Sequence, residues 1–221
     1  MSPSLLNESS RYMPLVGWIV GGLSALVFLG LSKLMQANVA IVLTMAFGIY
    51  LTGAFHEDGL ADTADGLGGG WTIEQKLEIM KDSRLGSFGG AALVLALLLK
   101  QQALSICHSP ALALLVAHPL SRFVAVSMIY FSQYVRQDEK SKVKPLAKAM
   151  SLSAWLFALV TALVALCLIP GQALQIALAL VTLFVLARRF LHQQLGGFTG
   201  DTLGGLQQVA ELMIYVLLTA L

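Results

Sequence analysis

Charge is what this sequence has least of. Only 12% of its 221 residues are Asp, Glu, Lys or Arg, about half the roughly 25% of an average soluble domain. Twenty-six charges cannot coat a soluble globule of 23.6 kDa. Disorder is excluded too, because a disordered chain is polar and charged. Cysteine is nearly absent. Cys107 and Cys167 stand in or beside apolar runs, with no CxxC pair and no Cys/His ligand spacing, which argues against a disulfide scaffold or a zinc site. The first ten residues hold no Lys or Arg, so a cleavable signal peptide with a basic start is not expected. A net charge of +2, pI near 8.6, is too weak and scattered for a nucleic-acid partner. What remains is apolar: 57% hydrophobic residues and a mean hydropathy of +0.78. The composition is that of an integral membrane protein.

A spanning helix needs about 20 mostly apolar residues. Such runs occupy 12–34, 36–55, 86–106, 110–132, 151–169, 172–190 and 203–221. The expected fold is therefore an all-α polytopic membrane bundle of about seven helices, forming one domain over 1–221. Polar stretches lie at 56–85, 133–150 and 191–202. Within the first, 72–81 opens with a capping-box pattern, Thr72 and Gln75, and places Ile73, Leu77 and Met80 on one face. It predicts a short amphipathic helix at the membrane interface. Glycine pairs at helical spacing, Gly17/Gly21, Gly86/Gly90 and Gly200/Gly204, suit close helix packing.

Basic residues sort by side. With seven spans, the side of the N-terminus holds eleven Lys and Arg, including the run Arg136, Lys140, Lys142, Lys144 and Lys148, whereas the other side holds only Lys33 and Lys100. The positive-inside rule then places the N-terminus in the cytoplasm and the C-terminus outside. Eleven of the twelve acidic residues share the cytoplasmic side, and Glu211 lies in the last span. Two Gly- and Asp-rich segments, 56–70 and 196–205, thus face one compartment and are expected to form a composite cytoplasmic site.

The first of these, Phe55 to Gly70, carries the chemistry. If the second span continues into it, 100° per residue puts Asp58, Asp62 and Asp65 within a 60° arc. Three carboxylates so placed repel one another. Hard divalent cations remove that penalty, and Mg²⁺ recruits a few carboxylates together with substrate phosphates. Gly59, Ala61, Ala64 and Gly66 leave room for a diphosphate beside the helix. His56 lies near 160° on the same wheel, either as a base or supporting group or as a plain interfacial histidine. In 80–89, Asp82 could complete a metal shell, with Lys81 and Arg84 pairing with phosphate. In 196–205, N–H groups at the start of the last helix could cradle an anion, with Thr199 and Asp201 as specific contacts. Arg122 sits mid-span near Pro119, which is expected to kink the helix, and either reaches a phosphate or pairs with Glu211. Glu211 and His118 read as structural members of the bundle.

These segments resemble the cobalamin synthase family, the adenosylcobinamide-GDP ribazoletransferases of bacterial and archaeal cobalamin assembly. The string His-x-Asp-Gly-Leu-Ala-Asp-x-x-Asp-Gly stands at 56–66, Met-x-Asp-Ser-Arg-x-Gly at 80–86 and Gly-Gly-x-Thr-Gly-Asp-x-x-Gly at 196–204. Arg11-Tyr-x-Pro-Leu-Val-Gly17 is similar to the family's start of its first helix. One departure is the longer N-terminal segment that family members carry, so this copy is truncated or its start differently assigned. The resemblance implies a Mg²⁺-dependent transfer in the cell (inner) membrane. Adenosylcobinamide-GDP would donate its cobinamide-phosphate part to α-ribazole or its 5′-phosphate, releasing GMP. It assigns Asp58, Asp62, Asp65 and Asp82 as metal ligands, with Asp201 and His56 completing the catalytic set. Lys81, Ser83, Arg84, Arg122, Thr199 and Gly200 become substrate contacts. The implied partners are the corrinoid-nucleotide and ribazole substrates and the lipid bilayer, with a homo-oligomer or other cobalamin-assembly enzymes as further alternatives. Two other readings compete: an aspartate-rich membrane prenyltransferase, whose motifs leave 80–89 and 196–205 unexplained, and a divalent-cation or corrinoid transporter.

Overall fold

A computed structural model describes residues 7–135 and 148–220. The basic residues Arg136, Lys140, Lys142 and Lys144 lie outside this range. Helices dominate because a bilayer offers no water to backbone groups, and a helix satisfies them within its own segment. After a 3₁₀ turn at Ser10–Tyr12 come α1 (Met13–Leu31), α2 (Ala37–Thr52), α3 (Phe55–Gly69), α4 (Ile73–Ile79) and α5 (Ser87–Ile106). They are followed by α6 (Pro110–Phe131), α7 (Leu152–Leu166), α8 (Ala173–Leu195) and α9 (Gly200–Ala220). Among the described residues the only β pairing is an isolated bridge between Tyr134 and Phe198. The fold is an all-α, multi-pass membrane bundle.

Among the described residues, five helices are long and apolar enough to cross a bilayer, and the bent pair α2/α3 would make a sixth, so the expected count of seven is not confirmed. The run expected at 151–169 yields an α7 of only 15 residues. The second expectation corrected is continuity of the second span into the aspartate segment. That helix stops at Thr52, where Gly53 and Ala54 both take left-handed backbone (φ 66° and 57°), and α3 leaves at 88°. Gly53 adopts this conformation without strain, whereas Ala54 is a non-glycine residue there and is held by its surroundings.

α6 is the axis of the bundle. Its most apolar stretch is 83% buried, against 17% for α8, and it packs on α1, α7 and α9. α1 lies directly on it. A side chain at Gly17 would strike the backbone of His118 and Pro119, and one at Gly21 the carbonyl of Leu114, 2.7 Å away. The helix continues through Pro119. Leucines and valines such as Leu26, Leu95, Leu174 and Val181 stay exposed on the outside, as a lipid-facing surface requires. The capping box at Thr72 and Gln75 forms as expected. The inward face of α4 is shifted, however. Met80 and Lys76 are buried, Lys76 donates to Gln194 on α8, and Ile73 is exposed.

Candidate active site

α3 meets the first turn of α9 across glycine. A side chain at Gly59 would lie 2.7 Å from the Asp201 carbonyl and 3.0 Å from Gly204 Cα. The two backbones touch here with nothing between them. The Gly- and Asp-rich segments, some 130 residues apart in sequence, are therefore in direct contact. α9 begins on a sequence-coded cap: Thr199 and Thr202 are buried, and each hydroxyl accepts the other residue's backbone N–H. Ahead of it, Gly196 (φ 80°) ends α8, and Phe198 exchanges backbone hydrogen bonds with Gln133 and Val135, just after α6. This fixes where α9 starts, and so where Asp201 sits.

The predicted residues divide into separate environments. Asp58, Asp62 and Asp65 share one arc of α3, but Asp58 is exposed, Asp62 half-buried and Asp65 buried. Asp65 accepts the N–H of Gly86 with one oxygen and that of Gly89 with the other, both at 2.8 Å. Lys81, Ser83 and Arg84 are exposed on the connection to α5. Asp82 is bound there by the Arg84 guanidinium, which holds its carboxyl below the usual carboxylate range. Asp201 is half-buried in the first turn of α9. At Gly200 nothing lies within 4 Å of a would-be side chain, so that position opens to space. Thr199 is committed to its cap. Among the described residues, no three His, Cys, Asp or Glu side chains gather so as to hold a metal ion. Asp58 and Asp62 lie one helical turn apart, about 5–6 Å apart at Cβ.

His56 and Arg122 belong to a second constellation, inside the bundle, which sequence reasoning missed. Lys100 pairs with Glu211 at 2.8 Å, and both are buried. This corrects the assignment of Lys100 to an outer connection. Glu211 also receives Tyr215 Oη (3.0 Å) and Gln207 Nε2 (2.7 Å), and lies 3.5 Å from His118 Nδ1. Arg122 donates to the His118 carbonyl and contacts its ring nitrogen at 3.0 Å. The hydrogen-bonded partners of Glu211 are thus Lys100, Gln207 and Tyr215, and Arg122, for which Glu211 and a phosphate were the two alternatives, bonds to His118 instead. Gln208 links Lys100 to Glu57 on α3. Apart from Gln207, these groups and His56 line a cavity of about 30 Å³, enough for about two waters. Among the described residues, Ser24 Oγ and Glu57 Oε2 on its wall are buried without a hydrogen-bond partner. The available signal was one lone cation and one lone anion in two different apolar runs, which in a membrane favours pairing.

That pair sets a stability expectation. Lys100→Met leaves the Glu211 charge buried and uncompensated, which costs about 3–5 kcal/mol. Thermal unfolding in detergent should show the loss, and Lys100→Met/Glu211→Gln should recover much of it.

A family model described as cobalamin-5-phosphate synthase matches residues 1–219. A protein of Shewanella piezotolerans named adenosylcobinamide-GDP ribazoletransferase is 51% identical over 96% of this chain and 85% of its own length. Proteins of the same name from Shewanella pealeana (51%, covering 98% and 86%) and Shewanella baltica (48%, covering 96% and 84%) are also similar. No solved structure matches.

Proposed function

The chain belongs to the cobalamin-5-phosphate synthase family, and on that premise we propose that it joins adenosylcobinamide-GDP to α-ribazole, or to α-ribazole 5′-phosphate, with release of GMP. Ribazole transfer in the final step of cobalamin assembly is the activity that this membership carries. The finer assignments are ours. A hydroxyl oxygen of the ribazole bonds to the cobinamide-side phosphorus. The bond from that phosphorus to the bridging oxygen breaks, GMP leaves with the electron pair, and the hydroxyl proton passes to a carboxylate.

The observation that carries this reading is the glycine contact of α3 with α9. It sets Asp201 beside the segment bearing Asp58 and Asp62. Asp58 and Asp62 would hold Mg²⁺, an ion usually bound through one or two carboxylates plus substrate phosphates. When bound, it neutralises charge on the diphosphate. Asp201, across the glycine contact, takes the ribazole proton. Lys81, Ser83 and Arg84, on the exposed connection next to the far end of α3, hold phosphate oxygens and orient the leaving nucleotide. Arg122 sits deeper, on a wall it shares with His56 and Glu57, and brings positive charge toward the first turn of α3. With α7 taken as a seventh crossing, the excess of basic residues on one side supports a site facing the cytoplasm from the cell (inner) membrane, with the N-terminus inside and the C-terminus outside.

The test is product analysis with purified protein. Adenosylcobinamide-GDP should yield one GMP per corrinoid joined to either acceptor, with Mg²⁺ and not with a chelator. Release of pyrophosphate, or metal flux into sealed vesicles without turnover, would overturn the proposal.

A further inference from the structure

We propose that Asp65 is a positioning residue and not a metal ligand: its carboxylate clamps the start of α5, and with it the Lys81–Arg84 connection, onto α3. This rests on the proposed placement of phosphate-binding groups in that connection. Both oxygens are already engaged, one by the N–H of Gly86, which caps α5, and the other by the N–H of Gly89 in its first turn. A carboxylate accepting two N–H groups at a helix start is favoured by charge-assisted hydrogen bonding and by the helix dipole. The closure is also steric. A side chain at either Gly86 or Gly89 would run into the Asp65 carboxylate. Only glycine lets the α5 backbone come this close, and it covers the buried Asp65 carboxylate from that side.

The neighbouring turn is committed in the same way. A side chain at Gly66 would meet the Met80 side chain and the Lys76 carbonyl, and one at Gly68 would come within 2.6 Å of the Phe88 ring. Met80 is buried at one end of the connection and Asp65 holds the other, while Lys81, Ser83 and Arg84 between them are exposed. Two fixed ends hold a short exposed loop in place. Asp58 and Asp62, at the other end of the same arc, are less buried than Asp65. The string at 56–66 and the string at 80–86 therefore meet in one clamp, Asp65 from the first and Gly86 from the second, with Gly89 completing it.

Limited trypsin digestion of the full-length protein in detergent tests this, because Lys81 and Arg84 are themselves cleavage sites. Asp65→Asn puts an amide NH₂ against one of the two N–H donors. Cleavage after Lys81 or Arg84 should then rise by about tenfold relative to cleavage after Lys33, as local opening predicts. Gly89→Ala keeps every carboxylate but drives a methyl group into the clamp, and should reproduce the effect. In both variants KM for adenosylcobinamide-GDP should rise while the half-saturating Mg²⁺ concentration stays within about twofold of the parent, since no ligand is lost. Cleavage at the parent rate in both variants overturns the proposal. So does a Mg²⁺ requirement raised by about tenfold in Asp65→Asn alone, the behaviour of a lost ligand. Absence of ribazole transfer in the parent protein would remove the functional reading and leave the digestion result standing.

Discussion

Asp58→Asn and Asp62→Asn are each expected to lower ribazole transfer by about a hundredfold or more, equivalent to roughly 2.7 kcal/mol of transition-state stabilisation. The substitution is nearly isosteric, so it removes a negative charge and little else. Asp58 is exposed and Asp62 half-buried on α3, whereas Asp65 is buried on two backbone N–H groups. Folding and membrane insertion should therefore be unchanged, and thermal unfolding should stay close to the parent. The loss belongs to the chemical step. Splitting a diphosphate builds charge on the leaving nucleotide, and an ion held by a single carboxylate is held more weakly. Raising Mg²⁺ should recover part of the activity of each variant, which a purely structural defect would not allow. Near-normal turnover in both would remove these two residues from the metal site.

Much of this arrangement was legible in the sequence, and the limits have physical causes. Apolar runs locate helices because only a helix satisfies its own backbone in lipid. The same rule cannot count spans, since α7 has the composition of a span without the length. The break between α2 and α3 was hidden because Ala54 adopts a left-handed conformation that its residue type disfavours. Gly53 alone hinted at it. Side-chain spacing grouped Asp65 with Asp58 and Asp62, and on the helix they do share an arc. What sets Asp65 apart is its partners, two backbone N–H groups more than twenty residues away, which no pattern of side chains records. The pairing of Lys100 with Glu211 was missed for a related reason. A charge in an apolar run announces that it needs a partner, but not which helix supplies it. The segments 56–70 and 196–205, which the basic-residue count groups together, do touch at the glycine contact.

That contact carries the second large effect. Gly59→Val should abolish most of the activity, a loss of about a hundredfold or more, although Gly59 offers no chemical group of its own. Its would-be side chain meets the carbonyl and Cα of Asp201 and the Cα of Gly204, all of them backbone atoms. A flexible side chain could swing away, but a helix backbone cannot, so α3 and α9 must part. Overpacking of this kind costs about 1–3 kcal/mol, which a bundle with this much buried surface can survive. The reaction is less tolerant, because a displacement of about 1 Å from the reacting geometry can cost a hundredfold in rate. Gly59→Ala should fall between the two. Gly30→Ala, on α1 with nothing within 4 Å of the added carbon, should behave like the parent. If Gly59→Val instead kept full turnover, Asp201 would be dispensable to the site, and the proton would have to leave through α3's own carboxylates.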